Sequence, residues 1–504
     1  MYLEWTLSQP RLNFTTLAII LITLYIAYNL VRVIYNVYFH PLAGFPGPAS
    51  RAAFYAQDLW ALLRGSPHHD LKKLHDQYGD IVRIRPDQLT FNKLDAWKDI
   101  YGSRPGKGQL RKDPDFYVVL NEKPNHIIYS NDADHSRMRR LLAHAFSDAA
   151  LREQEPVMTN YFDLLITGLG RKCDAGEIVD MCKWYNYMTF DIIGDLCFNE
   201  SFGALETGEY HIWMNNLFQG IKFARFIRIA TTYKPLMSIL KLVTKLNPKI
   251  AEGKVQHEQF TKLKTAKRMD SPTDRKDFMT YILRHNDERG MSRSEIMETS
   301  GILIIAGSET TATLLSGATY YLLTNPETYA KAKAEVRAAF QTPEDITLTS
   351  TARLPYLHAV LEESLRMYPP VPLALPRRTP PEGEYISGVF VPGNTGVAVP
   401  QFTAYRSSKY WAESETFAPE RWLEKPPEKY ANDVRAMLNP FSTGPRNCIG
   451  KNLACSEMRS ALARVLYHFD MELCDESRDW KNQNVFFMWD KPPLKVKLSR
   501  REKA

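Results

Sequence analysis

Apolar and polar positions along this chain fall into distinct regimes. From Leu12 to Val31 the residues are almost all apolar and uncharged, over the 20 positions a helix needs to span a bilayer. From Ser292 to Asn325 a longer apolar stretch opens with Ser292 and Glu295 in capping-box register and stops at Pro326, which predicts one long helix. From Asn452 to Met471 the residues Ala454, Met458, Ala461, Leu462, Val465 and Phe469 recur on one stripe, again helical. Pro355 to Tyr368 reads as a fourth helix, carrying Glu363 and Arg366 three residues apart on one face.

The N-terminal run is too long for a signal-peptide core and no small-residue cleavage pattern follows it, so an uncleaved anchor is expected. Tyr35 and Tyr38 suit a membrane interface, and Arg32 and Arg51 against Arg11 give a small charge bias toward a cytosolic C-terminal side. A proline-rich hinge follows, His40-Pro41-Leu42 and Phe45-Pro46-Gly47-Pro48. No repeat or low-complexity linker divides the rest. The expected organisation is an anchor over residues 1–37 and one catalytic domain over 38–504. Acceptor patterns at Asn13-Phe14-Thr15 and Asn199-Glu200-Ser201 abut the membrane or fall on the cytosolic side and are expected to stay unmodified.

The long apolar stretch carries Ala306-Gly307-Ser308-Glu309-Thr310-Thr311 at its middle. Read as a second membrane span, it would carry Glu309 at a cost of roughly 2.5–3.5 kcal/mol; read as a core helix, it holds a carboxylate that needs a partner or a task. Thr310 can bond back to the carbonyl of Ala306, and Gly307 beside it predicts a local opening of the helix. Glu309 and Thr310 together invite a proton-relay reading.

Just ahead of the last helix stands Phe441-Ser442-Thr443-Gly444-Pro445-Arg446-Asn447-Cys448-Ile449-Gly450. Its five fixed positions arise by chance in a chain of this length with a probability on the order of 10⁻⁴. A thiolate bound to iron needs shielding, backbone N–H donors and close approach of the chain, which Phe441, Gly444 and Gly450 can provide. The following helix N-terminus favours an anion.

This loop resembles the haem-binding loop of the haem-thiolate monooxygenases, the cytochromes P-450. The resemblance implies Cys448 as the axial iron ligand, with Phe441, Arg446 and Gly450 around the cofactor, a haem b. It also implies that Glu309 and Thr310 deliver protons on the distal face during dioxygen activation. Phe417-Ala418-Pro419-Glu420-Arg421-Trp422 resembles the family segment whose arginine joins the Glu363 and Arg366 pair in a buried triad. That triad is expected to lock the cysteine loop. Propionate partners are expected at Arg139 and Arg377, and at His135, where the family often has tryptophan. Arg137 and Arg140 read as a solvated basic face or as a dock for an acidic redox partner. The hinge and the stretch from Trp184 to Leu196 further resemble microsomal members from filamentous fungi that oxidise secondary metabolites.

The implied fold is mainly α-helical with a smaller β-rich region, the haem lying between the long helix and the helix after Cys448, preceded by one transmembrane helix. The implied location is the endoplasmic reticulum membrane, single-pass, with the catalytic domain cytosolic. No flavin- or nicotinamide-binding region is present, so electrons are expected from a separate NADPH-dependent cytochrome reductase. Six cysteines without metal spacing fit a reducing compartment, and all but Cys448 read as small buried residues. The net charge of +7 is spread along the chain, which fits a membrane lipid surface and a reductase better than nucleic acid.

Candidate pocket walls lie at Tyr117 to Leu120, Leu217 to Phe226, Val371 to Leu375 and Phe486 to Met488. Their apolar and aromatic content fits a bulky apolar substrate, and equally a packed core. Two other activities fit the same loop: a haem-thiolate isomerase or dehydratase, and a non-enzymatic membrane haem protein.

Overall fold

A computed structural model describes residues 14–117, 126–247, 249–271, 273, 275–284, 286–287 and 290–501. Leu12, Asn13 and the pocket-wall residues Val118 to Leu120 lie outside these.

The first apolar run forms the helix Phe14–Ile34, which continues as a π-helical turn, Tyr35–Phe39. Together they are long and apolar enough to cross a membrane, and none of the span's apolar core is buried against the rest of the chain. The hinge then turns back through bonds from Ala43 N–H to the His40 carbonyl (2.8 Å) and from Phe45 N–H to the Leu42 carbonyl (3.1 Å). Leu42 is fully buried there, so the hinge is docked on the body.

The body is mainly helical, and its largest apolar core gathers residues from Ile127 to Leu498. The long helix runs Arg293–Thr324, with Ser292 as N-cap in a complete capping box. Most of it is buried, which makes it a core helix rather than a second span. It packs along Met181–Phe198, itself almost wholly buried. Gly307 permits that approach: a Cβ there would stand 2.8 Å from Ile193 Cδ1. The helix is unbroken through Gly307, so the expected opening is absent; close packing, not weakening, accounts for this glycine.

Among the described residues, three sheets form the β-rich region. The largest runs in the order Ile81–Arg85, Gln88–Phe91, Gly396–Ala398, Arg377–Arg378, Arg111–Lys112. It sets Lys112 opposite Arg377 on antiparallel neighbours. The helix after the cysteine loop is Lys451–His468 and stops three residues short of its expected end. Phe469–Leu473 is a strand instead, paired antiparallel with Lys495–Arg500. The alternation of Phe469, Met471 and Leu473 with Asp470 and Glu472 has the two-residue period of a strand.

Candidate functional site

The loop before Lys451–His468 is closed by its own backbone. Cys448 N–H donates to the Phe441 carbonyl at 2.8 Å, and Asn447 N–H to that of Gly444 at 3.1 Å. Gly444 sits at φ 75, where a Cβ would fall 2.1 Å from the Tyr101 carbonyl oxygen, so only glycine fits. Gly450 is different, since its φ of −85 is ordinary and a Cβ would meet Phe146 at 3.8 Å. What Gly450 contributes is its N–H, directed at the Cys448 sulfur.

Cys448 is exposed by surface area, yet surrounding protein pushes its thiol pKa up; the Gly450 N–H first, then Arg139 and Lys451, pull the other way. The Phe441 ring is half-buried on the main core.

Arg139 lies on the helix Asp132–Ala145, which Asn131 caps by accepting from Asp134 N–H at 2.9 Å. Its guanidinium donates to the Asn447 carbonyl at 2.8 Å and to the Asn447 side chain, and so clamps the cysteine loop. One turn earlier, His135 is buried beside Arg446, Arg139 and Lys112. Burial first, then those cations, drives its pKa down to about 4.

Arg446 donates to the Ser130 carbonyl (2.8 Å) and Asp132 (2.9 Å), but its buried Nη1 has no partner among the described residues. Arg377 is buried with both Nε and Nη1 unpartnered among them. Lys112, which no motif marks, is pushed down to about 6 by burial and by the Arg377 and Arg446 guanidinia. Five basic groups therefore converge without enough acid, although buried cations are normally paired. A group carrying two carboxylates next to the thiol would satisfy them, so the donor set fits a haem. Of the expected propionate partners, His135 and Arg377 come together here with Arg446 of the cysteine loop, whereas Arg139 is engaged by Asn447 of that loop. Lys112 lies in the same basic group, although no sequence motif points to it.

On the long helix, Ala306 and Thr310 face open space, and Thr310 Oγ1 donates to the Ala306 carbonyl at 2.7 Å. Glu309 turns the other way: it is buried and ion-paired with Lys491, whose Nζ also donates to Thr313 Oγ1 at 2.7 Å. Among the described residues no hydrogen bond joins Glu309 to Thr310.

Glu363, Arg366 and Arg421 form a buried cluster. Arg366 grips Glu363 bidentately at 2.8 and 2.7 Å, and Arg421 Nε donates to it at 3.1 Å. Ala418 N–H and Trp422 Nε1 add bonds of 2.9 Å each, so the carboxylate is fully engaged. Arg366 also donates to the Tyr405 carbonyl at 2.7 Å, and the Tyr405 hydroxyl receives Asn439 N–H at 3.1 Å, at the threshold of the cysteine loop. Arg137 belongs to neither expected role: it pairs with Asp134 (2.8 Å) and with Glu295 (2.7 Å) in the first turn of the long helix. Arg140 pairs with Asp287 at 3.5 Å. All six cysteines are free, and no cluster of metal-binding side chains occurs among the described residues.

A cysteine in a backbone-closed loop, unsatisfied cations around it and a long helix bearing an acid–alcohol pair define the haem-thiolate class. The chain belongs to the cytochrome P-450 family, whose sequence model matches residues 46–498. It is similar to the cytochrome P-450 monooxygenase astJ of Aspergillus oryzae, 42% identical over 94% of this chain and 95% of that protein. It is also similar to the cytochrome P-450 monooxygenase astA of Talaromyces wortmannii, 43% identical over 95% of this chain and 97% of that protein. The trichothecene C-4 hydroxylase of Trichoderma arundinaceum is 41% identical over 96% of this chain and 97% of its own length. The chain is a monooxygenase of this family, and the family's cofactor is a haem held through a cysteine thiolate.

Proposed function

We propose that this monooxygenase hydroxylates, epoxidises or otherwise oxidises a bulky apolar small molecule, an intermediate of fungal secondary metabolism. The hydroxylase among its relatives supports that substrate class. The observation that carries the reading is the placement of Cys448, bonded back to Phe441 and flanked by Arg377 and Arg446, whose buried guanidinium nitrogens lack partners among the described residues.

Bound haem supplies the dioxygen-activating redox chemistry. The chain's own residues then divide the work. Cys448 would hold the haem through its thiolate, with the Gly450 N–H bonding the sulfur and Phe441 shielding it. Arg377, Arg446, His135 and Lys112 would bind its carboxylates, with Arg139 holding the loop. Thr310 Oγ1 and the Glu309 carboxyl would hand on protons from the long helix. Tyr117, the helix Ile212–Thr232, Val371 to Leu375 and Phe486 to Met488 wall the substrate space. Three of these segments are brought close by Arg225, 4.0 Å over the Phe486 ring, and Phe116, 5.7 Å from that of Phe487.

Residues 1–37 anchor the chain in the endoplasmic reticulum membrane and residues 38–504 form the cytosolic catalytic domain. Electrons come from a separate NADPH-dependent cytochrome reductase. The test is the absorbance difference spectrum of dithionite-reduced protein with and without carbon monoxide. A red-shifted Soret band, lost in Cys448→Ala, is expected; haem-loaded, folded protein without it would overturn the ligand assignment.

A further inference from the structure

Glu309 is held by a residue that arises almost at the end of the chain. Lys491 reaches the middle of the long helix, where its ammonium meets Glu309 Oε1 and Thr313 Oγ1, and both members of the ion pair are nearly inaccessible (6% and 4% exposed). The second carboxylate oxygen, Oε2, has no partner among the described residues, so the side chain's direction is fixed through Oε1 by the ammonium, with Thr313 Oγ1 donating to the same oxygen at 3.4 Å. That direction is away from Thr310, the next residue and about 100° around the helix.

Lys491 ends a tight hairpin. Asp490 N–H donates to the Asn484 carbonyl at 2.8 Å, Val485 bridges Trp489, and Phe486 N–H reaches the Met488 carbonyl at 3.0 Å. Its tip, Phe487, has a φ of 97, a left-handed backbone a phenylalanine adopts only under tertiary constraint. The hairpin's base is tied to the body, with Trp489 Nε1 on the Pro369 carbonyl at 2.8 Å and its ring stacked on Tyr368. Its outer side is tied to the helix Ile212–Thr232: Asp490 pairs with Lys222 at 2.6 Å, and Arg225 lies over the Phe486 ring. Adjacent residues, Asp490 and Lys491, thus connect the helix over the substrate space with the carboxylate on the long helix.

We propose that Lys491 is the positioning residue of Glu309, and that the hairpin of residues 484–490 makes its grip depend on the position of the helix Ile212–Thr232. The inference rests on the reading of Glu309 as a proton donor and adds what controls it. While Lys491 holds Glu309, the carboxylate faces away from Thr310. Movement of the 212–232 helix pulls Asp490 and its neighbour; Glu309 is then freed to take a proton from solvent and present it on the Thr310 side. The other titratable groups around the pair are Cys182 beside Lys491, and Tyr210 and Tyr368 beside Glu309. Burial raises the pKa of all three, and Asp180 is a further carboxylate beside Cys182 and Tyr210.

The test uses the haem-loaded full chain with an NADPH-dependent cytochrome reductase and no substrate. It compares Lys491→Met, Lys491→Arg and Asp490→Asn, each with and without Glu309→Gln. A buried carboxylate stripped of its ammonium takes up a proton. Lys491→Met is therefore expected to show an infrared C=O stretching band of a protonated carboxyl that is missing from wild type and disappears with Glu309→Gln. Its idle NADPH consumption and peroxide release should rise about fivefold or more, the lower end of a site-to-site coupling. Lys491→Arg keeps the charge and should stay near wild type. Asp490→Asn, at the exposed end, should raise idle consumption about twofold, as loss of a half-exposed pair allows. Wild-type spectra and rates in both Lys491→Met and Asp490→Asn would overturn the proposal. A Glu309→Gln variant whose reductase-driven rate and solvent isotope effect match wild type would instead overturn the donor reading itself.

Discussion

Arg139 donates through Nη1 to the backbone carbonyl of Asn447 at 2.8 Å, one residue before Cys448. The helix that would meet a propionate therefore also sets the loop that carries the sulfur. Arg139→Ala should weaken the loop by about 1.5–3 kcal/mol, the range for a hydrogen bond to a charged group. The carbon monoxide spectrum should then show a growing fraction of complex without the thiolate band, while overall helical content holds. A wild-type thiolate fraction would exclude the clamp.

The Glu363 cluster acts at longer range. With both arginines fully buried and Asp433 pairing Arg421, Glu363→Gln leaves Arg366 without a carboxylate and should cost about 3–5 kcal/mol. The denaturant midpoint of the haem-loaded protein reports this. A variant as stable as wild type would mean the cluster is not a structural lock.

Thr310 accounts for a third expectation. Thr310→Ala should retain haem and the thiolate spectrum but release peroxide, with product per NADPH falling about tenfold or more, as for loss of a proton-transfer group. Thr310→Ser, which keeps the hydroxyl, should recover most of the yield. Equal yields in wild type and Thr310→Ala would remove Thr310 from the relay.

Glu457, on the helix Lys451–His468, is fully buried. Burial lifts its pKa from 4.5 to about 8, offset in part by Thr311 of the long helix. Because the folded value lies above the unfolded one, the contribution to stability is full below about 4.5 and is lost as pH rises through about 8. Glu457→Gln stays neutral and should flatten that slope, with a gain of up to about 3 kcal/mol near pH 7. Thermal melts from pH 5 to about 8 compare the two; parallel curves would show that Glu457 is not the titrating group.

What could be read from the chain depended on how local each feature is. The capping box at Ser292 and the back-bond from Thr310 to Ala306 span three and four residues, and both appear in the structure. The cysteine loop is a ten-residue signature, and its closure lies within it. The end of the last long helix was misread because a helical stripe and a strand alternation overlap at Phe469; pairing with Lys495–Arg500 decides for the strand. The partner of Glu309 was not legible at all, since Lys491 lies 182 residues downstream and belongs to no motif. Lys112 was missed for a related reason: only the sheet brings it opposite Arg377. Arg137 looked like surface charge until the start of the long helix supplied Glu295.

The distance in sequence between Glu309 and Lys491 also bears on how the protein is made. The ribosome delivers Glu309 on the long helix well before Cys448 and Lys491. At about 5–20 residues per second, the carboxylate waits on the order of ten seconds or longer for its counter-charge. Capture of the family's cofactor consequently follows synthesis of the long helix, and a ribosome that stalls between Glu309 and Lys491 leaves the carboxylate without its ammonium.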